Sequence, residues 1–205
     1  MKDQSRTATG GFDRRAFLRG SGAAAAASAI AGGAGLATAD AAESALLAAE
    51  ATTITLNVNG QDHAIEVEPR TTLLEALRYQ LDLTGAKPVS IDASSGASSV
   101  WINDRLSSAN TTLAVECVGK KVRTVESLGG KNPDAVVKAF AHNDAMQCGF
   151  CTPGFVVAVR DFLNKNPKAS EADIRAGLNG NLCRCGTYAN VVMAAVEVVK
   201  GGSRG

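Results

Sequence analysis

The sequence predicts an α+β fold, in which a small sheet wrapped on one helix is followed by an almost entirely helical half. Apolar residues alternate with polar ones over much of residues 52–126, which is the period of a strand. Over residues 132–201 they recur every three or four positions, which is the period of a helix. Gly129-Gly130 and the segment KNPD separate the two stretches. A chain of 205 residues has room for two small domains, so we predict one at 52–126 and one at 132–201.

The first half is predicted from its alternating runs. TITLNVNG and QDHAIEVEP form two strands joined by a hairpin turn at Asn59-Gly60. TTLLEALRYQL follows as a helix that Thr71 or Thr72 caps. Its apolar face comprises Leu73, Leu74, Leu77 and Leu81. SSVWIND supplies a third strand with a turn at Asn103-Asp104, and TTLAVECVG and KKVRTVES supply two more. This layout is β-grasp-like, and plant-type ferredoxins share it.

The second half is predicted to form a four-helix bundle. NPDAVVKAFAHND and PGFVVAVRDFLNKN start near Pro133 and Pro153, because proline suits the first turn of a helix. SEADIRAGLNGN has Ser170 three residues before Asp173, close to a capping box, and ends at Gly180. YANVVMAAVEVVKGG is the last helix.

The first 39 residues have the pattern of an export signal. The twin arginine Arg14-Arg15 precedes a weakly hydrophobic segment of alanine and glycine, which is typical of the Tat pathway. A segment so rich in glycine and poor in leucine is a poor membrane span. Ala37-Thr38-Ala39 suits signal cleavage. We predict a Tat signal peptide at 1–39, a leader at 40–51 and a periplasmic location. Tat substrates cross folded, which suits a protein that receives a cofactor before export.

Four of the five cysteines form two close pairs. QCGFCTPG holds Cys148 and Cys151, NLCRCGTY holds Cys183 and Cys185, and each motif lies at a predicted helix–helix turn. Four soft thiolates are the usual ligands of an iron–sulfur cluster. Structural zinc, disulfides and buried inert thiols are the alternatives, although C-x-C is less typical of zinc than two C-x2-C pairs. The fifth cysteine, Cys117, is predicted to be a small buried hydrophobe on a strand.

The two cysteine motifs resemble the signature of the iron–sulfur small subunit of the molybdenum hydroxylases, the xanthine oxidase and periplasmic aldehyde oxidoreductase family. The resemblance covers about residues 52 to 200 and includes TLLEALRYQLDLTG and TVESLGG. It implies that Cys148, Cys151, Cys183 and Cys185 hold a [2Fe–2S] cluster and that Gln147 faces the pterin of a separate large subunit. It further implies an electron-transfer role without catalysis. Electrons pass from molybdenum through this cluster to a β-grasp cluster and then to flavin or another acceptor.

The chain departs from this family at the β-grasp cluster. The stretch VSIDASSGASSVWIND has Ser90, Ser95 and Ser98 where the family has three cysteine ligands, and the fourth position falls near Asn110. Neutral hydroxyl and amide oxygens are a poor match for a cluster that selects thiolates. Val89 and Ala93 also stand in a loop that usually needs glycine. We therefore expect one cluster, bound by the helical half alone.

The net charge and the motifs that the sequence lacks argue against two classes of function. A net charge of +1 without a lysine or arginine run argues against nucleic-acid binding. Ser/His/Asp, Walker and GxGxxG arrangements are not evident, so catalysis is expected to reside in a partner. The expected partners are a molybdopterin-binding large subunit and a flavin (FAD) or cytochrome (haem) subunit, without a membrane span in this chain. The alternative function is a non-redox assembly or export-escort subunit whose four cysteines hold zinc or are structural.

Overall fold

The structure is a computed structural model that describes residues 50–202. The predicted signal peptide at 1–39, and all but the last two residues of the predicted leader, lie outside the described residues.

The first half of the described chain is built on a five-stranded mixed sheet. Its strands are β1 (Thr52–Val58), β2 (Gln61–Val67), β3 (Ser99–Ile102), β4 (Arg105–Ser108) and β5 (Lys121–Arg123). Their order in the sheet is β2-β1-β5-β3-β4, and only the central β1–β5 pair is parallel. Both predicted turns are present. Asn59-Gly60 and Asn103-Asp104 have positive φ at both positions, which matches the twist of two-residue hairpins.

One helix covers this sheet. Thr72 caps it through a capping box with Glu75, as predicted. The helix starts as α1 (Leu73–Glu75) and continues as a π-helix (Ala76–Gln80). The predicted leucine face is confirmed: Leu73, Leu74 and Leu77 are buried, and Leu81 packs beside them half-buried.

Two of the predicted strands are wrong in whole or in part. TTLAVECVG contains a 3₁₀ helix (Ala114–Cys117), because its backbone docks on the start of the first helix. Thr71 O accepts from Ala114 N at 2.9 Å, and Thr112 O accepts from Leu73 N at 2.8 Å. KKVRTVES forms only the short β5 before a second 3₁₀ helix (Val125–Leu128). The unpredicted β4 pairs with β3 instead. Cys117 is fully buried, as predicted, although not on a strand.

The second half contains four helices, as predicted. They are α2 (Ala135–His142), α3 (Thr152–Lys165), α4 (Glu171–Gly177) and α5 (Tyr188–Gly202). Asp134 caps α2, so Pro133 precedes the cap, whereas Pro153 lies inside the first turn of α3. The capping box of Ser170 and Asp173 is present.

Each half has its own hydrophobic core. The first lies between the sheet and its helix, and the second lies among α2 to α5. Both cores belong to one compact unit. The domain limits 52–126 and 132–201 stay a prediction. None of the helices within residues 50–202 is both long and apolar enough to span a bilayer.

A buried hydrogen bond joins the two halves. The Trp101 indole on β3 donates to Asp161 Oδ1 on α3 at 3.0 Å, and Lys165 donates to the other carboxylate oxygen at 2.6 Å. Trp101 is 1% exposed, so the junction excludes water from this bond. The Arg123 guanidinium, on the neighbouring strand β5, lies 4.6 Å from the Trp101 ring centroid.

Candidate iron–sulfur site

The two cysteine motifs form neighbouring turns at the ends of helices. Cys148 and Cys151 precede α3, while Cys183 and Cys185 precede α5. Gly149 and Gly186 have φ of +83° and +92°, a conformation that side chains with a Cβ rarely adopt. All five cysteines are free thiols, so the disulfide alternative finds no support.

The four thiols associate two by two. Cys148 and Cys185 influence one another's ionisation most strongly among the thiols, as do Cys151 and Cys183, so each interacting pair takes one sulfur from each turn. Cys148 and Cys185 are exposed, whereas Cys151 and Cys183 are half-buried. The turns therefore place an outer pair of sulfurs near the surface and an inner pair beneath it.

Within each pair the ionisation of the two sulfurs differs. Burial opposes ionisation of Cys183, but hydrogen bonds outweigh it and lower its pKa to about 6. The strongest of them comes from the Thr187 hydroxyl, 3.1 Å from the sulfur. Burial and the bond to Cys183 raise the pKa of Cys151 to about 11. In the outer pair, the Phe150 N–H and the Cys185 thiol lower the pKa of Cys148, and donation to Cys148 raises that of Cys185.

This donor set fits a [2Fe–2S] cluster. Over residues 50–202, no three histidine, cysteine, aspartate or glutamate side chains converge as the ligands of one metal ion do. A cluster with two irons and four thiolates needs two ligands at each iron, which is the pairwise arrangement present here. The Thr152 hydroxyl beside Cys151 is buried and has no hydrogen-bond partner within the described chain. A cluster sulfur would supply the missing acceptor.

Exposed apolar side chains surround the cysteine turns. Met146, Phe150 and Leu182 are each more than half exposed, although each is adjacent to a cysteine or two residues from one. Gln147 is exposed within this rim, as its predicted role toward a partner's pterin requires. Large exposed apolar groups gathered around one site mark a binding surface.

The structure brings together the four positions predicted as the lost β-grasp site. Ser90 Oγ lies 2.8 Å from Ser95 Oγ, and Ser98 Oγ lies 2.6 Å from Asn110 Oδ1. The Asn110 amide donates to the carbonyl oxygens of Ser90 and Ile91. The predicted register of these four residues is therefore correct in space, and the residues bond to one another.

The loop around them keeps a backbone made for glycine. Ala93 has φ +65° and Gly96 has φ +66°, both in the left-handed region. A residue with a Cβ is strained there, so Ala93 retains a conformation that its side chain disfavours. Ser95 and Ser98 are buried, at 7% and 3% exposure. The Ser95 hydroxyl bonds to Ser90 within the loop, whereas the Ser98 hydroxyl bonds to Ser108 on β4 and to Asn110 just after it.

Several residues of both sites were not predicted from the sequence. The Ser108 hydroxyl joins Ser98 and Asn110 at 2.9 and 2.6 Å, but it stands on the unpredicted strand β4. Thr187 binds the Cys183 sulfur, and the Tyr188 hydroxyl accepts from the Cys183 N–H at 2.7 Å. For Thr187 and Tyr188, the sequence signal was their place in the GTY segment that directly follows Cys185. Nothing near Ser108 in the sequence indicated its contacts.

Comparison with known proteins gives one family match in the second half and relatives that cover both halves. Residues 124–196 match the [2Fe-2S] binding domain family. The chain is 36% identical to the aldehyde oxidoreductase iron-sulfur-binding subunit PaoA of Escherichia coli O157:H7, over 92% of this chain and 88% of the relative. It is 34% identical to the nicotine 6-hydroxylase small subunit of Paenarthrobacter nicotinovorans, over 70% of this chain and 87% of that relative.

Solved structures similar in fold to this chain agree with the sequence relatives. A chain of quinoline 2-oxidoreductase from Pseudomonas putida 86 superposes with a TM-score of 0.71 at 34% identity, over 76% of this chain and 98% of that one. The aldehyde oxidoreductase of Desulfovibrio gigas gives a TM-score of 0.69 at 30% identity, over 75% and 17%. The sequence and the fold together place this chain in the family of iron–sulfur electron-transfer subunits of the molybdenum hydroxylases, which bind a [2Fe–2S] cluster and act with a molybdopterin-containing partner subunit.

Proposed function

We propose that this chain is the electron-transfer subunit of a periplasmic molybdopterin-dependent hydroxylase or aldehyde oxidoreductase, and that it carries one [2Fe–2S] cluster. The observation that supports this most is the contrast between the two four-residue sites. Four thiols pair across the cysteine turns, whereas three serines and an asparagine are bonded to one another at the β-grasp loop. Only the first set has the soft ligands that an iron–sulfur cluster selects.

The residues of the cysteine turns have distinct tasks in this proposal. Cys148, Cys151, Cys183 and Cys185 hold the cluster, which supplies one-electron transfer when bound. Thr187 and the backbone N–H groups of the turns donate toward the sulfurs and stabilise their anionic form. Partial burial of Cys151 and Cys183 limits the access of water to the inner pair, while Gln147 and the apolar rim face the large subunit.

Substrate reduction of the complex tests this function. The purified complex with its molybdopterin-binding subunit is mixed with an aldehyde or N-heterocycle substrate under anaerobic conditions. Electron transfer predicts bleaching of the visible iron–sulfur absorption. No bleaching, with molybdenum reduced, contradicts the proposal and favours the assembly or export-escort function. Zinc without iron at the four cysteines also favours that alternative, which the loss of the β-grasp ligands motivates.

Export by the Tat pathway is the second part of the proposal. Its support is the twin arginine Arg14-Arg15, which precedes a weakly hydrophobic segment of alanine and glycine. Replacing both arginines by lysine should leave the folded chain in the cytoplasm, as measured by cell fractionation and immunoblotting. Arg19→Lys, outside the pair, is the matched control and should be exported normally. Unchanged export of the Arg14→Lys/Arg15→Lys variant contradicts this localisation.

A single cluster also bears on the electron acceptor. Without a β-grasp cluster, electrons leave by a route that does not use that loop. We infer a haem group docked near the remaining cluster, in place of a flavin subunit reached through the β-grasp half. A cytochrome that co-purifies with the complex and is reduced by substrate is the expected result. A flavin subunit that substrate reduces at a normal rate contradicts it.

A further inference from the structure

The β-grasp loop contacts both cysteine turns, although it lacks cluster ligands. Ser95 O accepts a hydrogen bond from Leu182 N at 3.0 Å, and Leu182 directly precedes Cys183. Gly96 O accepts from the Asn181 side-chain amide at 3.1 Å. Asn181 is only 6% exposed, so this bond is shielded from water. Two consecutive carbonyls of the loop therefore anchor the two residues that lead into the C-x-C turn.

The same loop also packs on the other cysteine turn. Gly154, in the first turn of α3 after Cys151, lies so close that an added Cβ would overlap Gly96 O. That Cβ would also lie 2.9 Å from Ala97 Cα. Backbone meets backbone here without a side chain between them. A displacement of Gly96 would therefore be transmitted to both turns that carry the thiols.

The serine and asparagine side chains cross-link this loop. Asn110, just after β4, ties Ser90 and Ile91 at the start of the loop to Ser98 at its end. Ser90 and Ser95 bond across the middle. These bonds join the four positions that a cluster would join. The loop is thus closed by hydrogen bonds within the protein itself.

We propose that the cross-linked loop 90–98 is a positioning brace for the cysteine turns, with Asn181 and Asn110 as its positioning residues. Asn181 transmits the position of the loop to Cys183 and Cys185. Asn110 holds the loop in the shape that makes this contact. The brace gives the degenerate loop a function in the remaining cluster site. It rests on the proposed function, because it requires a cluster on the four cysteines.

The test compares Asn110→Ala, Asn181→Ala and the double variant with the unaltered chain. Ser94→Ala is the matched control, since Ser94 is an exposed serine of the same loop whose hydroxyl, among residues 50–202, bonds to Asp92 alone. The readouts are iron per chain, the EPR spectrum of the reduced cluster and the rate of iron loss to a chelator. Circular dichroism verifies folding. If Asn110→Ala does not fold, Asn181→Ala, which leaves the serine network intact, decides the test.

Each single variant should shift or broaden the EPR signal and speed iron loss about two- to tenfold, the effect expected from one buried hydrogen bond. The double variant should resemble the more severe single variant, because both changes disable one brace. Ser94→Ala should match the unaltered chain. An unaltered chain without iron overturns the proposed function and this inference together. Iron in the unaltered chain, with spectra and loss rates unchanged in both single variants, overturns the brace alone. If the double variant loses iron faster by the product of the two single-variant factors, Asn110 and Asn181 act independently. That result also contradicts the proposal that they act through one brace.

Discussion

The two four-residue sites of this chain are similar in arrangement and opposite in chemistry. At the β-grasp loop, neutral oxygens and amides satisfy one another at 2.6 to 3.1 Å, with Ser95 and Ser98 buried and Ser90 and Asn110 half-buried. At the cysteine turns, sulfurs pair across two loops with opposed pKa shifts and an exposed outer pair. The oxygen and amide groups of the β-grasp loop thus satisfy one another within the protein, whereas the thiols of the cysteine turns stay partly exposed, as ligands of the proposed cluster must.

Removing one thiol from the cysteine turns is expected to have the largest effect, because it takes away a proposed ligand that the β-grasp loop lacks. Cys148→Ser and Cys183→Ser should each lower iron from about two per chain to near zero, because a serine hydroxyl stays protonated and binds iron poorly. Iron analysis and the visible spectrum measure the loss. Cys117→Ala is the matched control. Cys117 is fully buried in the sheet core and its pKa is raised by burial, so its removal should cost about 1 kcal/mol of stability and leave iron unchanged. Full iron in both serine variants would contradict the ligand assignment.

Cutting the junction between the halves has the next largest effect. Trp101→Phe removes the indole donor to Asp161 and leaves that carboxylate with Lys165 alone. We expect a loss of about 2 kcal/mol in the free energy of unfolding, measured in urea. Iron content should stay at the level of the unaltered chain, since no contact to a cysteine is removed. A variant as stable as the unaltered chain would show that the bond is not buried in solution.

Steric overlap between α3 and the β-grasp loop tests whether the two sites depend on one another, and we expect a smaller effect from it. Gly154→Ala places a methyl group against Gly96 O and Ala97 Cα, so we expect a loss of about 1 to 2 kcal/mol and a lower iron content. Gly201→Ala is the matched helical control. Its added Cβ meets nothing within 4 Å, so it should be neutral or stabilise by up to about 1 kcal/mol. The thermal unfolding midpoint should fall in Gly154→Ala and should stay unchanged or rise in Gly201→Ala. The same shift in both would contradict the close packing.

Relaxing the degenerate loop is expected to have the smallest effect. Ala93→Gly removes a Cβ from a residue with φ +65° and should stabilise the chain by about 0.5 to 1 kcal/mol. Equilibrium unfolding measures this gain, and Ala86→Gly, at a buried alanine where positive φ is not found, should destabilise instead. A loss of stability in Ala93→Gly would show that the loop does not keep its glycine-type backbone.

The sequence predicted the features that depend on local chemistry. The cysteine spacings, the capping boxes at Thr72 and Ser170 and the turn at Asn59-Gly60 all follow from a few neighbouring residues. The 3₁₀ helix at Ala114–Cys117 stands where the sequence predicts a strand, because its shape depends on contacts with Thr71 and Leu73, which are distant in the sequence. Asn181 was missed for the same reason. Its partner Gly96 is 85 positions distant, and nothing near Asn181 in the sequence indicates that contact.

The central claim is that this chain binds one cluster and binds it at the cysteine turns. The most direct measurement is iron analysis combined with low-temperature EPR of the reduced, purified chain. The account predicts about two irons per chain and a single rhombic signal, as expected for one [2Fe–2S] site. Two distinct cluster signals with about four irons per chain would contradict it, as would zinc in place of iron.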